Sequence, residues 1–368
     1  MRLLICAGGT GGGVYPALAV LKALGDEAKS VLWVGGEGGM ETEMISRLNI
    51  PYSSIPAAGV HGVGFLSLPA NIFRLVRGVF ESRRILARFK PDALLFTGGF
   101  VAVPMAIAGR KIASLLFIPD IEPGLAIKAI ARFSNRIAVT VKETKEFFPF
   151  HQHMVITGYP TRPELSGWTR ETAHSHFGLH DQKPVLLVFG GSKGAQSINH
   201  SVLENLAGLL EFAQVVHITG LANYHEATQA ADRLSINNCD YHPYAYLHED
   251  MGAAFAAADL AVCRAGASTL GELPLFGLPV VLIPYPYAWQ YQKVNAEYLV
   301  QHGGAVMLID ENLKTELLST VSSLLQSPDR LAEMRHSFKS LATPQAAKDI
   351  ANILQELVSE KEEKASND

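Results

Sequence analysis

Three glycine-rich turns carry the residues best suited to hold an anion. Gly8-Gly9-Thr10-Gly11-Gly12-Gly13-Val14-Tyr15-Pro16 follows the apolar run Leu3–Cys6, and Gly190-Gly191-Ser192-Lys193-Gly194-Ala195 follows Val185–Phe189. The third, Arg264-Ala265-Gly266-Ala267-Ser268-Thr269-Leu270-Gly271-Glu272, follows Leu260–Cys263. Glycines between a strand and a helix let backbone N–H groups approach a ligand, and the start of the helix favours negative charge. Phosphate or pyrophosphate fits such turns, with Ser192, Ser268 and Thr269 adding hydroxyls and Lys193 an ammonium. Glu272 can accept from ribose hydroxyls or close a capping box. A tight turn without ligand is the plainer reading of the first loop. No register fits G-x-G-x-x-G or G-x-x-x-x-G-K-[ST], which disfavours a dinucleotide oxidoreductase and a Walker-type nucleotidase.

Other chemistry is sparse. Asp120-Ile121-Glu122 places two carboxylates next to a Pro123-Gly124-Leu125 turn, where they can serve as a base or cap the following helix. No D-x-D occurs, and Cys6, Cys239 and Cys263 form no C-x-x-C, so neither a metal nor a disulfide framework is expected. His217 on an apolar strand reads as a core residue; His61, in a glycine-rich stretch, is a further candidate base. Tyr285, Tyr287, Trp289 and Tyr291 precede or flank Gln292 and can stack on a sugar or pack in a core.

The elements that must position these residues alternate in type. Nine short apolar runs, Leu3–Cys6, Val31–Val34, Ala93–Phe96, Ser114–Ile118, Ile137–Val141, Val185–Phe189, Val215–Thr219, Leu260–Cys263 and Val280–Ile283, are separated by helix-period segments. That is the signature of buried parallel strands in βαβ units, and the series occurs twice. The chain of 368 residues, 48% hydrophobic and 18% charged, is long enough for two cores. We therefore expect two doubly wound α/β domains facing each other across a cleft: residues 1–163, 164–345, and a C-terminal helix with charged tail at 346–368. Ligands belong at the carboxyl ends of the strands.

The net charge is −4, which gives no argument for nucleic acid, but its distribution is uneven. Residues 1–163 hold 18 basic and 11 acidic side chains, and residues 164–368 hold 13 and 24. Between Phe65 and Lys90, apolar residues mix with Arg74, Arg77, Arg83, Arg84, Arg88 and Lys90, opposed only by Glu81. Positions 72, 76, 79, 86 and 89–90 form a core-facing stripe at helical spacing. Phe65–Leu68, Phe73 and Phe80 are left over beside arginines, as expected of a patch that docks on anionic lipid; an ordinary helix with a solvated basic face is the alternative. No stretch reads as a signal peptide or membrane span, and the widely spaced cysteines suit a reducing cytoplasm.

Together these motifs resemble the MurG family of transferases, which move N-acetylglucosamine from UDP-N-acetylglucosamine to an undecaprenyl-pyrophosphoryl-muramoyl-pentapeptide in peptidoglycan synthesis. Gly8–Pro16 and Gly98-Gly99-Phe100-Val101 to Pro104 are similar to the family's first two glycine loops, and Gly158-Tyr159-Pro160-Thr161-Arg162 to its interdomain G-x-P-x-R. Gly190–Ala195 resembles the third loop, Cys263–Glu272 the uridine-diphosphate signature, and Gln292-Lys293-Val294-Asn295-Ala296 the Q-x-x-N-A helix. The resemblance implies a GT-B glycosyltransferase, inverting and metal-independent, needing no cofactor and peripheral to the inner face of the cell membrane. It implies a donor site of Thr10, Gly11, Gly12, Arg162, Ser192, Lys193, Gly194, Leu247, Ala267, Ser268, Thr269, Leu270, Gly271, Glu272 and Gln292. The acceptor would meet Gly8, Gly9, Gly13, Gly98 and Gly99. Two departures fall on the acceptor side: Gly13 stands where the family has histidine, and Phe117-Ile118-Pro119-Asp120 where it has H-E-Q-N. Asp120 and Glu122 are then the expected catalytic carboxylates. A different lipid acceptor, or a silent nucleotide-sugar-binding scaffold, remains an alternative.

Overall fold

A computed structural model describes residues 1–8, 11–39, 41–56, 68–191, 195–233, 240–286 and 291–367. The first sheet comprises β1 (Arg2–Ala7), β2 (Ser30–Gly36), β3 (Tyr52–Ile55), β4 (Ala93–Gly98), β5 (Ala113–Ile118), β6 (Arg136–Val139) and β7 (Met154–Ile156). The second comprises β8 (Val185–Phe189), β9 (Gln214–Ile218), β10 (Tyr241–Tyr244), β11 (Leu260–Cys263), β12 (Val280–Leu282) and β13 (Ala305–Met307). Both are parallel throughout, in the orders β3-β2-β1-β4-β5-β6-β7 and β10-β9-β8-β11-β12-β13. Strand order reverses between β1 and β4 and between β8 and β11. A crevice opens beyond the carboxyl ends at such a switch point, so each unit has one place built for a ligand.

All nine apolar runs are strands. The four strands without such a run, β3, β7, β10 and β13, are the outer edges of the two sheets. An edge strand is covered less than a central one, so it needs no continuous apolar segment. β7, for example, leaves Val155 and Ile156 exposed, whereas every residue of β4 and β5 is buried.

The chain divides into Met1–Thr161 with Pro344–Asp368, and Arg162–Thr343. The boundary thus falls just before Arg162 rather than at 163/164, and residues 346–368 belong to the first unit. Helix Ala346–Asn367 runs through the charged segment and lies against helix Gly11–Leu24, β4 and β5. Arg136 at the start of β6 pairs with Glu356, at 2.7 Å, and with Glu360. Buried Ile350, Leu354 and Leu357 supply the apolar contact that returns this helix to the first unit.

Helix Leu68–Phe89 turns differently from the expected stripe. Gly78, Ser82 and Leu86 face inward, while Ile72 and Val76 are about half exposed (49% and 47%). The cause lies at Gly78, where an added Cβ would stand 2.4 Å from the Pro56 carbonyl oxygen and 3.0 Å from Pro104. Close approach on that line rotates Ile72, Phe73, Val76 and Phe80 outward, next to exposed Arg74, Arg77 and Arg83. Phe65 and Leu66 lie outside the described residues. Among the described residues no helix is long and apolar enough to cross a membrane.

Candidate functional site

In the second unit the β8 and β11 turns leave adjacent strands at the switch point. Ser192, Lys193 and Gly194 lie outside the described residues, as do Tyr287 and Trp289. The β11 turn is described fully. Gly266 is extended, and Ala267–Leu270 forms a single 3₁₀ turn leading through Gly271 into helix Glu272–Phe276. Thr269 closes that turn by donating from its N–H (3.0 Å) and its hydroxyl (2.7 Å) to the Gly266 carbonyl. Its hydroxyl is thus engaged within the turn. Asn295, fully buried on helix Tyr291–Gln301, donates to the Ala265 carbonyl at 3.2 Å and braces the turn from behind. Gln292 accepts from the Tyr285 N–H at 2.9 Å, so its carbonyl end is tied to the β12 turn and its amide hydrogens point elsewhere.

Glu272 does not close a capping box. Its carboxylate oxygen Oε1 meets Nε and Nη2 of Arg162, each at 3.3 Å. Burial pushes the Glu272 carboxyl above its ordinary range, against the opposing pull of the Arg162 charge and of hydrogen bonds from Ser268 and Arg162. The Leu247 side chain is buried, while the neighbouring Tyr246 and His248 rings are exposed, their centroids 4.5 Å apart and their planes tilted by 56°.

The sequence reading passed over a cluster on the same rim. Arg264 pairs with Asp310 and donates to Ser197 at 2.7 Å, and Ser197 donates to Asp310 at 3.0 Å. These partners are distant in sequence, so only the charged residue directly after a buried strand could have signalled it.

In the first unit, Gly9, Thr10 and His61 lie outside the described residues. Gly8 and Gly99 are brought together at the β1/β4 switch: a Cβ on Gly99, whose φ is +88°, would stand 2.7 Å from the Gly8 carbonyl oxygen. Thr97 donates its hydroxyl to the Gly13 carbonyl at 2.6 Å, holding the first turn of helix Gly11–Leu24 against β4. Gly11 and Gly12 open that helix, and Gly98 ends β4. A second residue the sequence reading missed is Glu41, whose buried carboxylate accepts from the Gly36 N–H at 2.8 Å. A Cβ on Gly8 would lie 2.5 Å from the same oxygen, so a side chain there would displace the Glu41 carboxylate.

Asp120 and Glu122 follow β5, one strand from the switch point, and helix Leu125–Ala131 takes Gly124 rather than a carboxylate as its N-cap. Thr140 anchors the approach to this turn by donating to the Pro119 carbonyl at 2.9 Å. Phe117 and Ile118 are wholly buried in β5. Among the described residues no group of three or more His, Cys, Asp or Glu is placed to hold a metal.

Residues 3–139 match the glycosyltransferase family 28 N-terminal domain and residues 185–352 its C-terminal domain. The chain is 37% identical to the UDP-N-acetylglucosamine--N-acetylmuramyl-(pentapeptide) pyrophosphoryl-undecaprenol N-acetylglucosamine transferase of Roseiflexus sp. (strain RS-1), over 97% of its own length and 95% of that protein's. It is 35% identical to the enzyme of the same name from Bacillus subtilis (strain 168), over 97% and 99%. The crystal structure of Acinetobacter baumannii MurG superposes with a TM-score of 0.76 at 29% identity, covering 96% of this chain and 99% of that one. Two parallel α/β units, both family domains and near full-length identity agree: the chain belongs to glycosyltransferase family 28, among the MurG transferases.

Proposed function

We propose that this protein transfers N-acetylglucosamine from UDP-N-acetylglucosamine to the muramoyl unit of an undecaprenyl-pyrophosphoryl-linked acceptor in cell-wall synthesis. The observation that carries this is the Arg162–Glu272 pair beside the Ala267–Leu270 turn, at the switch point of the second sheet. An acceptor hydroxyl attacks C1 of the sugar, its O–C1 bond forms as the C1–O bond to the β-phosphate breaks, and UDP leaves with the electron pair. Attack from the face opposite the leaving group inverts the anomeric centre. Amide hydrogens of the β8 and β11 turns and the Ser192 and Ser268 hydroxyls meet the diphosphate, which supports leaving-group stabilisation without a metal. Glu272 accepts from the ribose hydroxyls, oriented by Arg162. Gln292 addresses the sugar with its amide hydrogens.

The acceptor proton goes to Asp120 or Glu122 beyond β5. Phe117 and Ile118 occupy the family's His and Glu positions but are buried, which favours a changed acceptor contact and supports a second reading: transfer to a different lipid-linked acceptor. The outward face of helix Leu68–Phe89, with Ile72, Phe73, Val76 and Phe80 beside arginines, supports peripheral docking on the anionic cytoplasmic leaflet.

Radiolabelled UDP-N-acetylglucosamine, the purified full-length protein and EDTA test the proposal. Label should move to the lipid-linked muramoyl-pentapeptide at undiminished rate in chelator. Transfer only to another lipid selects the second reading, and donor binding without turnover on any lipid acceptor defeats both.

A further inference from the structure

Arg264 is the first residue after β11, at the strand-order switch of the second sheet, and the reading above leaves it without a task. Its side chain is only 10% exposed, and both terminal nitrogens are engaged by the protein. Nη1 pairs with Asp310 and lies 3.3 and 3.4 Å from the carbonyl oxygens of Ile283 and Pro284. Nη2 donates to the Ser197 hydroxyl at 2.7 Å, and that hydroxyl donates to Asp310 Oδ1 at 3.0 Å, closing a triangle. The Tyr285 ring lies 5.4 Å from the guanidinium carbon.

These partners stand on four different connections. Ser197 is the second residue of the helix after the β8 turn, Arg264 opens the β11 turn, Ile283 to Tyr285 follow β12, and Asp310 follows β13. A planar guanidinium can hold a carboxylate, a hydroxyl and two carbonyls at fixed angles; an ammonium on a flexible stem cannot. Asp310 neutralises the cation in place, so Arg264 is not a loose counter-ion for phosphate.

We propose that the Arg264–Ser197–Asp310 triangle is a positioning device that sets the spacing between the start of helix Gln196–Glu204 and the β11 turn, so that together they fit a nucleoside diphosphate rather than a monophosphate. This rests on the second unit being the donor half. Two phosphates reach both elements and are sensitive to their separation, whereas one phosphate is satisfied by either alone. Binding geometry of this kind has a tolerance of about 0.5 Å, which a freed loop exceeds.

The test is calorimetry of UDP and UMP, in EDTA, with the full chain and with Ser197→Ala, Arg264→Lys and Asp310→Asn. Ser197→Ala removes one oxygen without changing charge, which keeps a folded variant available. Each variant should weaken UDP by about fivefold or more, the scale of one lost hydrogen bond, with UMP affected much less. The Ser197→Ala/Asp310→Asn pair should weaken UDP no further than the worse single change, because both open the same triangle. Unchanged UDP affinity in all three variants, or equal losses for UDP and UMP with a lowered Tm, overturns the inference and leaves the donor assignment standing. If the unaltered chain binds neither nucleotide, the donor assignment itself fails.

Discussion

Arg162 and Glu272, 110 positions apart, meet so that Nε and Nη2 of the guanidinium both lie 3.3 Å from the same carboxylate oxygen, Oε1. The arginine is the first residue of the second unit, and the glutamate heads the helix after the β11 turn. Burial raises the Glu272 carboxyl, and the Arg162 charge offsets part of that rise, so the arginine lowers the pH at which this buried group ionises.

Replacing Arg162 with Met removes that opposition and drives the Glu272 carboxyl higher still. Because a raised carboxyl binds its proton more tightly in the folded state, its charged form appears only at higher pH. The acid limb of kcat/KM for UDP-N-acetylglucosamine should therefore move to higher pH. An acid limb that stays where it was would mean that ionised Glu272 is not needed for donor recognition.

Asp120→Asn and Glu122→Gln separate the two carboxylates beyond β5. The one that takes the acceptor proton should lose about 10²–10⁴ in kcat with little change in donor KM, and the other should retain turnover. Full turnover in both variants would exclude both as the base.

The outward apolar face of helix Leu68–Phe89 should carry membrane affinity. Phe73→Glu with Phe80→Glu changes two side chains that are 69% and 57% exposed, so Tm should hold. Co-sedimentation with anionic vesicles at low salt should fall about tenfold or more, and in the unaltered chain it should weaken as salt rises. Equal sedimentation of variant and parent would place lipid binding elsewhere.

His217 gives a pH signature of the second unit's stability. Its Nδ1 lies 3.0 Å from the Tyr241 hydroxyl and Nε2 3.1 Å from Asn199 Oδ1, and burial pushes its pKa down to about 3. The unfolded chain takes up this proton near the ordinary histidine value of about 6.5, so stability is complete above that and declines as pH falls towards 3. The slope attributable to His217 is at most about 1.4 kcal/mol per pH unit. In His217→Gln, urea midpoints measured at pH 7.5 and pH 5 should differ less than in the parent; an unchanged difference would show that other groups set the acid response.

Much of the architecture was legible in the chain itself. Central strands of a parallel sheet are covered on both faces, so their residues must be apolar in unbroken runs, and nine runs marked them. The turns at the switch points were visible for a similar reason: close backbone approach admits little but glycine, as at Gly99 against Gly8. Edge strands such as β3 and β13 lack that double burial and left no comparable mark. Which face of helix Leu68–Phe89 turns inward depended on Pro56 and Pro104 meeting Gly78, and helical spacing alone allows several rotations. The Arg264–Ser197–Asp310 triangle and the Arg162–Glu272 pair were likewise decided by folding: a charged side chain records its type in the sequence, but its partner is whatever the tertiary structure brings within hydrogen-bond reach.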